Sequence, residues 1–267
     1  MTERVRLEIR DDVAYVTLDR ADKRNALDWD MLVGLVDAAE RIGRDASLRA
    51  VVLRGEGKAF CSGLDFPSFT KTPVRLARAF AKPRPGASNL FQEAALCFRR
   101  LPVPVIAVLH GSCFGGGLQI ALGADFRFAT PDCELSIMEA KWGLVPDMSG
   151  TITLRELLPM DVAMKLTMTG EVFDARKAKE LGLVTEVVDD PLAAAEALVA
   201  TIRTRSPDSV AATKVLFHRT WLASEDDALA AETLIQARLL AGGNAREAVR
   251  ANLEKRPPRF KPRSFSR

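Results

Sequence analysis

The sequence predicts an α/β core followed by a helical C-terminal portion, and two observations carry the prediction. Short apolar strand-like runs alternate with helical spacings as far as residue 129. Beyond Pro146 almost every segment has helical spacing instead. At 267 residues the chain is long enough for one large domain or two smaller ones.

The elements follow in order. Residues 5–9 and 13–18 alternate apolar with polar positions on either side of Asp11-Asp12, which predicts a hairpin. Asn25 or Asp28 caps a helix over 29–44, in which Met31, Leu32, Leu35, Val36 and Ala39 recur at helical spacing. Residues 50–53 form a short buried strand ending in Gly55-Glu56-Gly57. From 66 to 87 four prolines (Pro67, Pro73, Pro83, Pro85) sit among Lys71, Arg75, Arg78, Lys82 and Arg84, predicting a long irregular excursion. Such an excursion is either a cover over a site or a variable surface loop.

A helix over 88–99 leads through Pro102 and Pro104 into 105–109, whose small and branched apolar residues suit a central parallel strand. The run Gly115-Gly116-Gly117 opens a helix toward Leu122, and 126–129 gives another strand. Helices are expected over 162–168, 175–181, 192–204, 209–222 and 228–240, with 184–188 strand-like between them. No internal repeat or low-complexity segment interrupts this order.

Composition narrows the classes. Hydrophobic residues make up 48% and charged residues 27%, the mixture of a folded globular protein. Residues 1–10 contain no apolar core of a signal peptide, and no stretch has the length of a membrane span, so a cytoplasmic protein is expected. Cys61, Cys97, Cys113 and Cys133 are widely spaced and only 2 histidines are present, which indicates neither a disulfide framework nor a metal site.

The net charge of +3 resides in the tail, where Lys255, Arg256, Arg259, Lys261, Arg263 and Arg267 occur without an acid. Setting those six aside leaves 32 basic against 35 acidic residues, so no nucleic-acid surface is indicated. The tail is either a solvated end or a contact for an anionic ligand.

Common catalytic signatures are absent. No G-x-G-x-x-G, P-loop, G-x-S-x-G or H-E-x-x-H occurs. His110 stands at a strand end, where a backbone-satisfied ring is the plain reading.

Two glycine-containing turns follow predicted strands: Ala59-Phe60-Cys61-Ser62-Gly63-Leu64-Asp65 and His110-Gly111-Ser112-Cys113-Phe114-Gly115-Gly116-Gly117. Glycine permits unusual dihedrals and close ligand approach, and the first amides of a helix lack intrahelical acceptors. Such amides can receive a developing oxyanion, although each turn alone is also read as a tight connection.

Together with Lys23-Arg24-Asn25-Ala26-Leu27 upstream and Met138-Glu139, Gly143, Pro146 and Gly150 downstream, these turns resemble the crotonase (enoyl-CoA hydratase/isomerase) superfamily. The resemblance runs in order from Val5 to Phe260. It implies a spiral of β-β-α turns over residues 1–200, a helical C-terminal oligomerisation region over 201–267, and a homotrimer or dimer of trimers. It implies a coenzyme A thioester as substrate, with no prosthetic group and no metal. The oxyanion donors it implies are the N–H groups of Leu64 and Gly116. Lys23, Arg24, Ala26, Ala59, Ser62, Gly63 and Asp65 match the coenzyme A segments, and Phe260 matches a stretch that can reach a neighbouring subunit's ligand.

The family's hydratases carry two carboxylates. One matches Glu139; the other falls on Gln119, and an amide cannot exchange a proton at neutral pH. A single carboxylate suffices to move a double bond, and Asp147 matches a second proton carrier of dienoyl-CoA isomerases. The resemblance therefore implies an enoyl-CoA isomerase with Glu139 as acid/base and Asp147 assisting. The alternatives are a hydratase in which Glu139 works alone while Gln119 positions water, and a non-catalytic acyl-CoA-binding protein. Asp147 is also read as a helix cap, and Glu139 as an ion-pair partner. The excursion over 66–87, beginning with Phe66, and Met138, Trp142, Val145 and Met148 are expected to line the acyl pocket or to serve as core.

Overall fold

The computed structural model describes residues 4–84 and 86–265. Pro85 of the excursion, Arg267 of the basic tail and the first three residues lie outside the described residues.

The hairpin forms as β1 (Val5–Arg10) and β2 (Val13–Leu18), turning at Asp11 with φ 55°. Asp28 rather than Asn25 caps α1 (Trp29–Arg44), its side chain accepting from the Met31 N–H. β3 (Ala50–Gly55) returns parallel to β2, with Val16 opposite Leu53.

The excursion is not irregular. It folds into α2 (Phe66–Thr70) and α3 (Pro73–Phe80), because Pro67 and Pro73 fall in the first turn, where proline's missing N–H removes no helical bond. α4 (Leu90–Leu96) starts at a capping box in which Asn89 and Gln92 exchange backbone bonds.

β4 (Val105–Leu109) follows, fully buried as a central strand should be. Next come β5 (Ser112–Phe114), α5 (Gly116–Leu122), β6 (Phe126–Ala129) and β7 (Glu134–Ser136). After them lie α6 (Gly150–Leu157), α7 (Met160–Thr169), β8 (Phe173–Asp174), α8 (Ala175–Glu180) and β9 (Glu186–Val187). The chain ends in α9 (Pro191–Arg203), α10 (Pro207–Thr220), α11 (Glu225–Leu240) and α12 (Gly243–Leu253).

Two sheets result. The larger has the order β1-β2-β3-β4-β6-β9 and is parallel apart from the hairpin; the smaller has the order β5-β7-β8. The main core lies between the large sheet, α1, α4 and α5, while the other face of the sheet packs on α9.

The C-terminal helices are tied to the core by Lys214 of α10. Its ammonium is buried, meets Asp125 at 2.6 Å and donates to the Phe98 and Val103 carbonyls. The basic tail is strapped down rather than free. Asp208 accepts the Ser264 and Phe265 N–H groups at 2.6 and 2.7 Å, and Arg256 pairs with Glu247 and Glu254.

Candidate active site

One wall of the site begins at Asn25, a buried residue with φ 55°. Its amide donates to the Glu56 and Ala59 carbonyls at 2.9 and 2.8 Å, and its oxygen accepts the Arg20 N–H at 2.8 Å. These bonds lay 23–26 against 59–62. The Ser62 N–H donates to the Arg24 carbonyl at 3.0 Å, and the Ser62 hydroxyl to that of Lys23 at 3.4 Å.

The strand-like contact continues at Leu27. Its N–H donates to Gly63 at 2.8 Å and its carbonyl accepts from Asp65 at 2.9 Å. Because the bonds of this bridge come from the residues flanking Leu64, the Leu64 amide is turned away from it. Asp65 is held by Arg20 at 2.8 Å. Burial works against its charge, but the Arg20 and Ser68 bonds outweigh burial and hold its carboxyl below the usual range.

The second wall is β5. Cys61 donates to Ser112 and Phe114 donates back to Cys61, both at 3.0 Å, so the two glycine turns run side by side. Gly115 takes φ 50° and donates its N–H to Ser136, which aims α5 at the first turn. The Gly116 amide is the first of the helix and has no intrahelical acceptor. A Cβ at Gly116 would stand 2.7 Å from Met148 Sδ and 3.0 Å from Leu27, so only glycine lets α5 begin there.

Glu139 opens a 3-10 helix over Glu139–Trp142 and is buried, 8% exposed. Its Oε1 accepts from Gln119 Nε2 at 2.5 Å, while its buried Oε2 has no protein partner. The Gln119 oxygen accepts two backbone N–H groups, from Met148 and Gly150, both at 2.9 Å. Gln119 is therefore packed behind Glu139 and forms no part of the cavity wall.

Burial raises the Glu139 carboxyl above its ordinary 4.5, against hydrogen bonds from its own amide and Gln119; the charge of Asp147 adds to the rise. Burial likewise raises Asp147. Asp147 is not a cap, because the residue preceding α6 is Ser149 and the Gly150 N–H goes to Gln119.

These groups meet at a cavity of about 300 Å³. Its wall includes Ser62, Gly63, Leu64, Gly116, Glu139 and Asp147, together with the expected Phe66, Met138 and Trp142. Three expectations change, the first being Val145, which is 71% exposed and does not line the wall. Met148 is fully buried against Gly116 and shapes the wall from behind instead of lining it. Phe260 lies elsewhere in the same chain, under the Arg49 guanidinium and beside Leu239 and Ala248.

The wall also takes Phe69, Thr70, Leu76 and Phe80 from the 66–87 excursion; Phe91, Phe114, Gly115 and Leu144 were not expected. The spacing of Phe66 and Phe69, and of Leu76 and Phe80, carried the helical signal, which the prolines obscured. His110 is satisfied by the Gly57 carbonyl at 3.0 Å. Among the described residues no group of three or more His, Cys, Asp or Glu is placed to hold a metal, and no helix is long and apolar enough to cross a membrane.

A ββα core in which two glycine turns meet beside buried carboxylates defines the crotonase class of α/β proteins. The family model for enoyl-CoA hydratase/isomerase matches residues 8–263, and the chain belongs to that family. It is 34% identical to the enoyl-CoA hydratase EchA19 of Mycobacterium tuberculosis, over 96% of each chain. It is 27% identical to a peroxisomal Delta(3,5)-Delta(2,4)-dienoyl-CoA isomerase of Arabidopsis thaliana, over 97% of this chain and 96% of that one. Among solved structures, a putative enoyl-CoA hydratase from Streptomyces coelicolor superposes with a TM-score of 0.88 at 31% identity, over 97% of this chain and 94% of that one.

Proposed function

We propose that the protein shifts the double bond of an enoyl-CoA from carbon 3 to carbon 2, with Glu139 as the proton carrier and Asp147 assisting. The observation that carries this reading is the state of Glu139. One oxygen is fixed by Gln119, the other is buried without a protein partner, and the residue lines a cavity whose second carboxylate is Asp147. A base held this way removes the α-proton of a thioester, and burial raises its proton affinity toward that of a working general base.

The enolate formed carries its charge on the thioester oxygen. The amides of Leu64 and Gly116 are the donors proposed to receive it, each lowering the barrier by about 3 kcal/mol. The Glu139 carboxyl then returns the proton at the γ-carbon, and the double bond settles between carbons 2 and 3. The substrate's coenzyme A is assigned to the surface built by Lys23, Arg24, Ala26, Ala59, Ser62 and Asp65.

Hydration is the second reading, favoured by the hydratases among the relatives. The bonding of Gln119 argues against its holding the attacking water: its oxygen is filled by two amides and its nitrogen donates to Glu139. The deciding variant is Glu139→Gln, which should lower isomerisation of a 3-enoyl-CoA by 10²–10⁴-fold while coenzyme A binding persists. Retention of more than about a tenth of the turnover removes Glu139 from the role.

Residues 201–267 are proposed as the assembly region of a homotrimer or dimer of trimers. In support, Phe217, Trp221, Leu222, Leu234, Leu240 and Leu253 are more than half exposed on α10–α12. In such an assembly Phe260 is assigned to a neighbour's ligand. Sedimentation at several concentrations tests this; a monomer throughout excludes it.

A further inference from the structure

Aromatic residues are scarce in this chain, yet five of its 13 phenylalanines and one of its 3 tryptophans line one cavity. They come from five separate elements: Phe66 and Phe69 from α2, Phe80 from α3, Phe91 from α4, Phe114 from β5, and Trp142 from the 3-10 helix. Core packing alone does not gather them, because Phe80 and Trp142 remain 47% and 57% exposed.

The rings are held in order. Phe66 and Trp142 stand 4.6 Å apart between centroids, Phe80 and Phe91 5.1 Å, and Phe69 and Phe91 5.5 Å. Trp29 backs Phe69 at 4.4 Å, its indole N–H fixed by the Ser68 carbonyl and the Thr72 hydroxyl. Such a wall offers edges and faces to another ring and has few torsions of its own to lose on binding.

Size and charge narrow the ligand further. At about 30 Å³ per water-sized group, a cavity of about 300 Å³ holds ~10 non-hydrogen atoms. No Lys, Arg or His lines it, and its only charged side chains are Glu139 and Asp147, so an acyl tail ending in a carboxylate has no partner there.

We infer that the cavity is built for a short, uncharged acyl group that carries an aryl or similar planar ring. This rests on the reading that the cavity takes the acyl part of an enoyl-CoA, and it adds the class of acyl group. A flat ring enters with few rotors to freeze and meets the wall edge-to-face, whereas an alkyl chain of equal carbon count must freeze every torsion.

The test measures binding without turnover. The wild-type chain is titrated calorimetrically with 3-phenylpropanoyl-CoA and with nonanoyl-CoA, saturated thioesters having the same number of acyl carbons. The expected result is about fivefold tighter binding of the aryl thioester, the scale of one well-formed ring pair, even though the alkyl chain is the more lipophilic. Phe66→Leu and Trp142→Leu should each narrow that gap. Equal or tighter binding of nonanoyl-CoA overturns the inference and leaves the isomerase reading standing. Failure of both thioesters to bind overturns the assignment of the cavity to an acyl-CoA as well.

Discussion

Gln119 and Glu139 are joined by a 2.5 Å hydrogen bond, and through it Glu139 is fastened to the chain that follows Asp147, because Gln119 also takes the Met148 and Gly150 amides. Only a side chain with a donor and an acceptor can do both. In Gln119→Glu the acceptor role survives, but a second carboxylate faces Glu139. The two then share a proton at neutral pH, and the acidic limb of the kcat/KM profile moves to higher pH. A profile that does not move contradicts the clamp. Gln119→Leu leaves two amides and Glu139 unmatched, and calorimetry should record a loss of about 1–3 kcal/mol of stability for each buried group left without a partner.

Asp147 acts on Glu139 through its charge. Burial and the neighbouring carboxylate both raise Glu139 above 4.5, so the base is ionised, and active, only above that raised value. Removing the neighbour's charge in Asp147→Asn should lower the midpoint of the acidic limb. An unchanged midpoint would separate the two groups electrostatically.

Asn25 holds the coenzyme A side of the site. Asn25→Ala loses three hydrogen bonds and places an alanine at φ 55°. A lower Tm and a raised KM with kcat much less affected are expected, because the variant displaces 23–26 but not Glu139. A fall confined to kcat would move Asn25 out of the binding segment.

Asp125 governs the joint between the core and α10. Burial opposes its charge most strongly, but the Lys214 ammonium, His218 and the Val105 N–H together hold its carboxyl below the ordinary 3.8. A depressed carboxyl contributes stability that is present above 3.8 and lost as pH falls through the lower folded value. Asp125→Ala removes the carboxylate of a buried ion pair and should cost about 3 kcal/mol, read by denaturant unfolding at neutral pH. The variant should also lose Asp125's share of the acid dependence, so that its stability falls less steeply than the wild type's below the ordinary 3.8.

Most strands of the large sheet were legible because alternation in the hairpin and continuous apolar runs in the central strands survive in segments of four residues or more. The small sheet was not, since Glu134–Ser136 and Phe173–Asp174 are too short to show a period. α2 and α3 were hidden by Pro67 and Pro73, which mark helix starts as well as loops. α12 was not foreseen: it opens on Gly243 with no side-chain cap, and Asn244 just inside it is anchored to Asp208 and Lys261, both distant in sequence.

In the site, the glycine turns were legible in the sequence, and both carboxylates came from the family resemblance that those turns help to carry. The clamp was not. Gln119 meets Glu139 across 20 residues and Gly150 across 31, distances over which sequence pattern carries no geometry.

The account's central claim is the direction of proton traffic at Glu139. It is tested most directly by offering the wild-type enzyme a 3-enoyl-CoA and a 2-enoyl-CoA in separate reactions and following the products by proton NMR. The account predicts conversion of the 3-enoyl to the 2-enoyl thioester, with any 3-hydroxyacyl-CoA forming at least about tenfold more slowly, a margin of roughly 1.4 kcal/mol in barrier. Hydration of the 2-enoyl thioester without isomerisation of the 3-enoyl one would contradict it.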